Sequence, residues 1–196
     1  MRGSEAIQTL GEKLNKNFHL EDERMLSVYR QVYENFIKGL EENNKGILLI
    51  GSVGVGKSFL MKIFQKLFKD SPRRFKWINA YDIADFIEYY SVAELKETYG
   101  RNLKADLYID DIGSSNATIS KFGNTTNIIA ELITERYDLF VSEGFKTHLS
   151  SNRVTSLDKK QFPTHVTLED MYGIRVLDRL REMCETIVWK GESLRK

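Results

Sequence analysis

Gly51-Ser52-Val53-Gly54-Val55-Gly56-Lys57-Ser58 carries the pattern G-x-x-x-x-G-K-[ST], the spacing of a phosphate-binding loop. Its flanks supply the context that the pattern requires. Gly46-Ile47-Leu48-Leu49-Ile50 is an apolar run that reads as a buried strand, and apolar periodicity predicts a helix from about Lys57 to Phe68. Glycines at 51, 54 and 56 permit a tight loop whose backbone N–H groups converge on phosphate oxygens. The N-terminus of the following helix adds partial positive charge at the same place. Lys57 reaches the β- and γ-phosphates, and Ser58 offers a hydroxyl to Mg²⁺. The candidate nucleotide-binding residues are therefore Gly51, Ser52, Val53, Gly54, Val55, Gly56, Lys57, Ser58 and Phe59.

Outward from this loop, strands and helices alternate. Helical spacing of Met25, Val28, Tyr29, Val32, Phe36 and Leu40 predicts a helix over Glu21–Leu40. Phe75–Asn79 reads as a strand, followed by two short helices over Tyr81–Tyr90 and Val92–Thr98. Ala105–Ile109 is a third strand, ending at Asp110-Asp111. Ser114–Asn124 reads as a polar loop. Thr125–Ser142 is the clearest amphipathic helix, stopped at Gly144. Phe145–Ser150 is a fourth strand and Asn152–Thr167 a loop. Leu168–Met183 is helical with an interruption near Gly173, and Thr186–Lys190 is the last strand. This alternation argues for an α/β fold, a five-stranded parallel sheet with helices on both faces. Such sheets bind ligands beyond the carboxyl ends of their strands, where the candidate motifs lie.

Leu107-Tyr108-Ile109-Asp110-Asp111 is an apolar strand ending in two acids, the Walker B pattern. It is expected to lie beside the phosphate-loop strand. Asp110 suits the Mg²⁺ shell, through water, and Asp111 suits orienting or deprotonating an attacking water. Thr147-His148-Leu149-Ser150-Ser151-Asn152 is a strand ending in an amide, which suits positioning that water. Tyr172-Gly173-Ile174-Arg175-Val176-Leu177-Asp178-Arg179-Leu180 puts Arg175 and Arg179 on one helix face. Each fits an internal ion pair, or a contact with a neighbour's γ-phosphate.

Net charge is +1 in 196 residues, so composition alone does not announce a nucleic-acid binder. Basic clusters occur at Lys66, Lys69, Arg73, Arg74 and Lys76, at Lys159-Lys160, and in the Arg-rich C-terminal region. The single cysteine, Cys184, expected in a helix, excludes an internal disulfide and fits a reducing compartment. His19, His148 and His165 lack metal-ligand spacing. No apolar run approaches the roughly 18 residues of a membrane span, so a cytoplasmic protein without membrane contact is expected.

In order and interval, GSVGVGKS, LYIDDIG, THLSSN and YGIRVLDRL together resemble the DnaC/IstB-like branch of the AAA+ ATPases, close to the DnaA initiator clade. The segment NTTNIIAELITERY over Asn124–Tyr137 resembles that family's helix before the fourth strand. The two short helices between Tyr81 and Tyr99 sit where the initiator clade inserts an extra element. The resemblance spans Phe18 to Lys190. It implies an AAA+ domain over 18–190, with an arm at 1–17 and a tail at 191–196, lacking a C-terminal helical lid. The arm stands in place of the N-terminal partner-binding domain that helicase loaders usually carry.

The resemblance further implies ATP and Mg²⁺ as cofactors and Asn152 as the sensor-1 residue. Arg179 matches the trans-acting arginine finger, with Arg175 as the alternative. Asp111 stands where many relatives have Glu. An ATP-dependent homo-oligomer is implied, acting on DNA, single-stranded rather than duplex, with a replicative helicase or a transposase as partner. A helicase-loading ATPase is the leading expectation. An IstB-like transposition helper, a nucleotide switch with negligible turnover and a small P-loop kinase are the alternatives.

Overall fold

The computed structural model describes residues 3–16, 18, 23–38, 45–114, 118–121, 124–157 and 164–193. In chain order these form α1 (Gly3–Leu14), α2 (Glu23–Lys38), β1 (Gly46–Gly51), α3 (Lys57–Leu67), β2 (Phe75–Asn79), α4 (Ala80–Tyr89), α5 (Val92–Tyr99) and β3 (Asp106–Ile112). Then come β4 (Thr118–Lys121), β5 (Asn124–Asn127), α6 (Ile128–Glu143), β6 (Thr147–Ser151), α7 (Leu168–Tyr172), α8 (Ile174–Met183) and β7 (Cys184–Trp189). Lys159, Lys160, Gly123 and Pro163 lie outside the described residues.

β1 is buried along its whole length because both of its faces are covered. Leu48 and Ile50 enter one core with Ile129, Leu132 and Ile133 of α6. Ile47 and Leu49 enter the other with Val32 and Phe36 of α2 and Leu60 and Phe64 of α3. That two-sided burial explains an apolar run without polar alternation. The five strands are parallel and ordered β2-β3-β6-β1-β7. Residues 3–14, in the stretch read as an arm, form α1, whose buried Ile7 joins the second core.

Three expectations are corrected. First, β3 does not lie beside β1. β6 separates them, pairing Leu149 with Leu48 on one side and with Ile109 on the other. The buried Ser150 and Ser151 at the end of β6 are small enough for β1 and β3 to meet chemically above it. Second, the segment read as a loop holds an antiparallel hairpin of β4 and β5, with Ile119 opposite Thr126 and Ser120 opposite Thr125. Thr125 and Thr126 are β-branched and suit a strand. The helix begins only at Ile128, where the Asn127 side chain accepts from the Ala130 N–H at 3.1 Å as its N-cap. Third, Cys184 opens β7 rather than ending a helix. It pairs with Gly46, and its thiol donates to the Thr147 carbonyl at 3.3 Å.

Gly144 takes φ 76 after α6, the left-handed stop expected of it. Arg136 of α6 is fully buried at the amino-terminal edge of the sheet. Its guanidinium donates to the carbonyls of Leu103, Ala105 and Lys146 at 2.9–3.0 Å and to the Thr147 hydroxyl at 3.0 Å. One side chain thus satisfies the Leu103 and Ala105 carbonyls that lead into β3 and adds a second donor to the Lys146 carbonyl, which also accepts from the Leu107 N–H at 3.0 Å. His148 is also buried, stacked on Phe36 at 4.6 Å, and burial holds its imidazole down at about 3. It is a neutral core residue.

Candidate nucleotide-binding site

At the carboxyl edge of the sheet, β1 delivers the glycine loop, β3 the acid pair and β6 the polar end of its strand. Gly54 and Gly56 have φ 83 and 105, values that a residue with a Cβ rarely adopts. These turns reverse the chain so that α3 starts at Lys57. Lys57 is only 6% exposed. Its ammonium donates to the carbonyls of Gly51 at 2.7 Å and Ser52 at 3.0 Å, and to Asn152 Oδ1 at 2.6 Å.

Asp110, 4% exposed, is held by three hydroxyls. Its Oδ1 accepts from Ser58 at 3.0 Å, Tyr108 at 2.6 Å and Ser150 at 2.6 Å. Tyr108 shares a strand face with Asp110 because the two are two residues apart. Burial, followed by the Asp110 charge, raises the Tyr108 phenol well above its ordinary value, so it remains a donor.

Asn152 joins the two halves. Its Oδ1 faces Lys57, and its Nδ2 donates to Asp111 Oδ1 at 2.6 Å. Asp111 has φ 59, the one positive value among the described non-glycine residues. Asp tolerates this left-handed region better than most residues. The kink interrupts pairing with β6 between Ile109 and Ile112, and the Asp111 N–H donates instead to Ser150 Oγ at 2.9 Å.

Of these groups, Lys57, Ser58, Asp111 and Asn152 line one end of a cavity of about 610 Å³. Val53, Gly54, Gly56, Lys57, Ser58, Asp111, Ser114 and Asn152 make that end polar. Asn15, Phe18, Met25, Tyr29, Phe59 and Tyr81 complete the lining. The Phe18 ring lies 5.2 Å from Phe59 and 6.1 Å from Tyr29. Phe18 can approach because a Cβ at Gly11 would strike its ring at 2.1 Å. One end of the cavity suits phosphates and the other a flat apolar ring.

The oxygen donors fit Mg²⁺. Ser58 Oγ and Asp110 Oδ1 are a hydroxyl and a carboxylate within 3.0 Å of each other, the hard-ligand pair that binds this ion together with phosphates and water. Among the described residues there is no cluster of three or more His, Cys, Asp or Glu able to hold a metal. No described helix is long and apolar enough to cross a membrane.

Arg175 and Arg179 are not brought into the cavity. Arg179 is half-buried on α8 and turned onto α6, donating to Thr134 Oγ1 at 2.7 Å with its guanidinium 5.4 Å from the Tyr137 ring centre. Arg175, one turn earlier, is exposed. The sequence reading also passed over several contributors. Tyr108 and Ser150 lay inside quoted motifs, yet only sheet register reveals that they converge on Asp110. Met25 and Tyr29 read as core residues of α2; their second role needs the tertiary structure.

A parallel sheet ordered β2-β3-β6-β1-β7, with a phosphate loop on β1, an acid pair on β3 and an amide ending the intervening β6, defines an AAA+ type of P-loop fold. Solved structures agree. The chain is similar to a DnaC helicase loader (22% identity, TM-score 0.62, covering 90% of this chain and 96% of that one). It is similar to DnaI (20%, TM-score 0.61, 92% and 89%). A third is the replication initiator DnaA bound to AMPPCP and single-stranded DNA (18%, TM-score 0.56, 90% of this chain and 49% of that one). No protein-family model matches the sequence, and no curated protein matches it. The likeness is one of fold: the chain has the AAA+ fold of helicase loaders and initiators.

Proposed function

We propose that this chain is an ATP-binding and ATP-hydrolysing AAA+ protein of DnaC type, assembling with ATP and acting in DNA replication as a helicase loader. The observation that carries this reading is the connected set Lys57–Asn152–Asp111 beside Ser58–Asp110, gathered from three strand ends. A structural loop would have no need to bring a lysine, an amide, a hydroxyl and two carboxylates together at the mouth of a cavity.

The loop N–H groups and Lys57 hold the phosphates, with phosphate oxygens taking over the Lys57 contacts now made to Gly51 and Ser52. Ser58 and Asp110 hold Mg²⁺, which when bound neutralises charge on the β- and γ-phosphate oxygens. Asp111 accepts the proton of the attacking water, and Asn152 fixes the carboxylate that does so. Phe18, Met25 and Tyr29 receive the base. In an oligomer Arg175 or Arg179 supports a neighbour's γ-phosphate. Arg175 is already exposed, whereas Arg179 must first leave Thr134. Single-stranded DNA is the favoured nucleic-acid partner, supported by the fold shared with the initiator bound to it.

The test is anisotropy of labelled single-stranded and duplex DNA, titrated with protein in AMPPCP and again in ADP. Single-strand binding that requires the triphosphate analogue is the expected result. Equal binding in both nucleotides, or none in either from folded, nucleotide-bound protein, contradicts the DNA-directed part. In parallel, Arg175→Ala and Arg179→Ala should each retain ATP binding. The variant that loses turnover and assembly identifies the finger, and normal turnover in both removes that role from the pair.

A further inference from the structure

Asp111, with φ 59, is followed by a tight turn, which two side chains from other elements hold: Tyr172, at the start of the arginine segment, and Arg153, outside the motifs. Gly113 is buried with φ 82. Its N–H donates to the Tyr172 hydroxyl oxygen at 2.7 Å, and its carbonyl accepts from Arg153 Nε at 2.6 Å. Arg153 is anchored in turn, Nη1 donating to the Val166 carbonyl at 3.0 Å and its own N–H to Ser151 Oγ at 3.0 Å. Ser151 completes the circuit by donating to the Ile112 carbonyl at 2.8 Å. The fit is close: a Cβ at Gly113 would meet Leu168 at 2.9 Å and Arg153 at 3.0 Å. Both backbone polar groups of buried Gly113 are therefore satisfied by side chains rather than by the sheet, which ends there.

We infer that Tyr172 and Arg153 are positioning residues for hydrolysis: from α7 and from the loop after β6 they clamp Ile112–Ser114, so that the Asp111 carboxylate stays on the Asn152 amide. This rests on the hydrolytic reading above. Tyr172 is not among the residues that line the cavity. Its hydroxyl holds the backbone of the turn that carries the carboxylate. α7 continues through Gly173 into α8, which carries Arg175 and Arg179. The helix pair that bears the intersubunit arginines thus ends one hydrogen bond from the turn that sets the water-activating acid.

Tyr172→Phe keeps the ring in the core and removes only the hydroxyl that accepts from the Gly113 N–H. Arg153→Lys keeps the charge and loses the planar fork. Three readouts apply: turnover and KM for ATP, equilibrium affinity for a fluorescent ATP analogue, and NMR hydrogen exchange at the Gly113 amide. The clamp predicts that turnover falls about tenfold or more in each variant, since small misplacements of a catalytic group are costly, while ATP affinity stays within about twofold. It also predicts faster Gly113 exchange in Tyr172→Phe, with a fall in melting temperature no larger than the loss of one buried hydrogen bond gives. Wild-type turnover in both variants overturns it. So does a parallel loss of affinity, turnover and thermal stability, which would mark a merely structural role. If the wild type binds ATP and never hydrolyses it, the hydrolytic reading fails, and exchange alone judges the clamp. Unchanged Gly113 protection in Tyr172→Phe then overturns it, and faster exchange upholds it.

Discussion

At Asn152 one amide faces a cation and a carboxylate at once, Oδ1 toward Lys57 and Nδ2 toward Asp111. The amide does this with two separate atoms, an oxygen that accepts from the first and an N–H₂ that donates to the second. Asn152→Ala and Asp111→Asn should therefore leave ATP binding intact and lower turnover by about 10²-fold or more, measured as phosphate release against analogue affinity. Equal losses of affinity and turnover would instead assign both residues to ground-state binding. Lys57, Ser58, Asp110, Asp111 and Asn152 were legible in the sequence because each sits at a fixed offset within a contiguous strand-end motif. Tyr108, Ser150, Arg153 and Tyr172 were not, because strand register or α7 packing brings them in from other segments. Arg179 shows the reverse limit. Its spacing fitted an internal ion pair or an outward contact and the resemblance implied the outward one, but neither could show that Thr134 and Tyr137 would engage it.

The elements with strong periodicity were readable from the sequence, and those built on polar residues were not. The face of α6 formed by Ile129, Leu132 and Ile133 follows helical spacing and packs as expected. The hairpin of β4 and β5 is rich in Ser, Thr, Asn and Lys, so a loop reading displaced it, and the helix start moved with it. Asn127 marks the true start. Asn127→Ala should destabilise the protein by about 1 kcal/mol in urea unfolding, whereas an unchanged midpoint would deny the cap. Arg136, also on α6, was invisible as a core residue because a charged side chain is seldom fully buried. Burial pulls its guanidinium down to about 10, and its donors serve three main-chain carbonyls. Arg136→Met keeps much of the volume and removes the donors to the Leu103 and Ala105 carbonyls, while the Lys146 carbonyl keeps the Leu107 N–H. A loss of about 3 kcal/mol or more is expected by the same method; a loss under about 1 kcal/mol would mean that the carbonyls find other partners.

Across the whole molecule, the sheet order decides what the motifs can do together. With β6 between β1 and β3, the Asn152 amide occupies the gap between lysine and acid, which direct pairing of β1 with β3 would have closed. The opposite edge carries a separate electrostatic load. Lys146 is 2% exposed, and burial, then the like charge of Arg73, lowers its ammonium from 10.5 to about 8. Between those values the unfolded chain keeps a proton that the folded chain has released, so stability rises with pH across that window. Wild type should therefore gain urea resistance relative to Lys146→Met between about pH 8 and about pH 10.5; parallel curves would contradict the shift. At the functional edge, Phe18 and, from α2, Tyr29 bring aromatic rings into the cavity that the phosphate loop lines. That site is tested most directly by equilibrium binding of a fluorescent ATP analogue, followed by phosphate release with Mg²⁺, in wild type and Lys57→Ala. Binding and release by the wild type, with both lost in Lys57→Ala, is the predicted result. Wild-type affinity in Lys57→Ala, or no nucleotide binding by folded wild type, would contradict a nucleotide site at Gly51–Ser58.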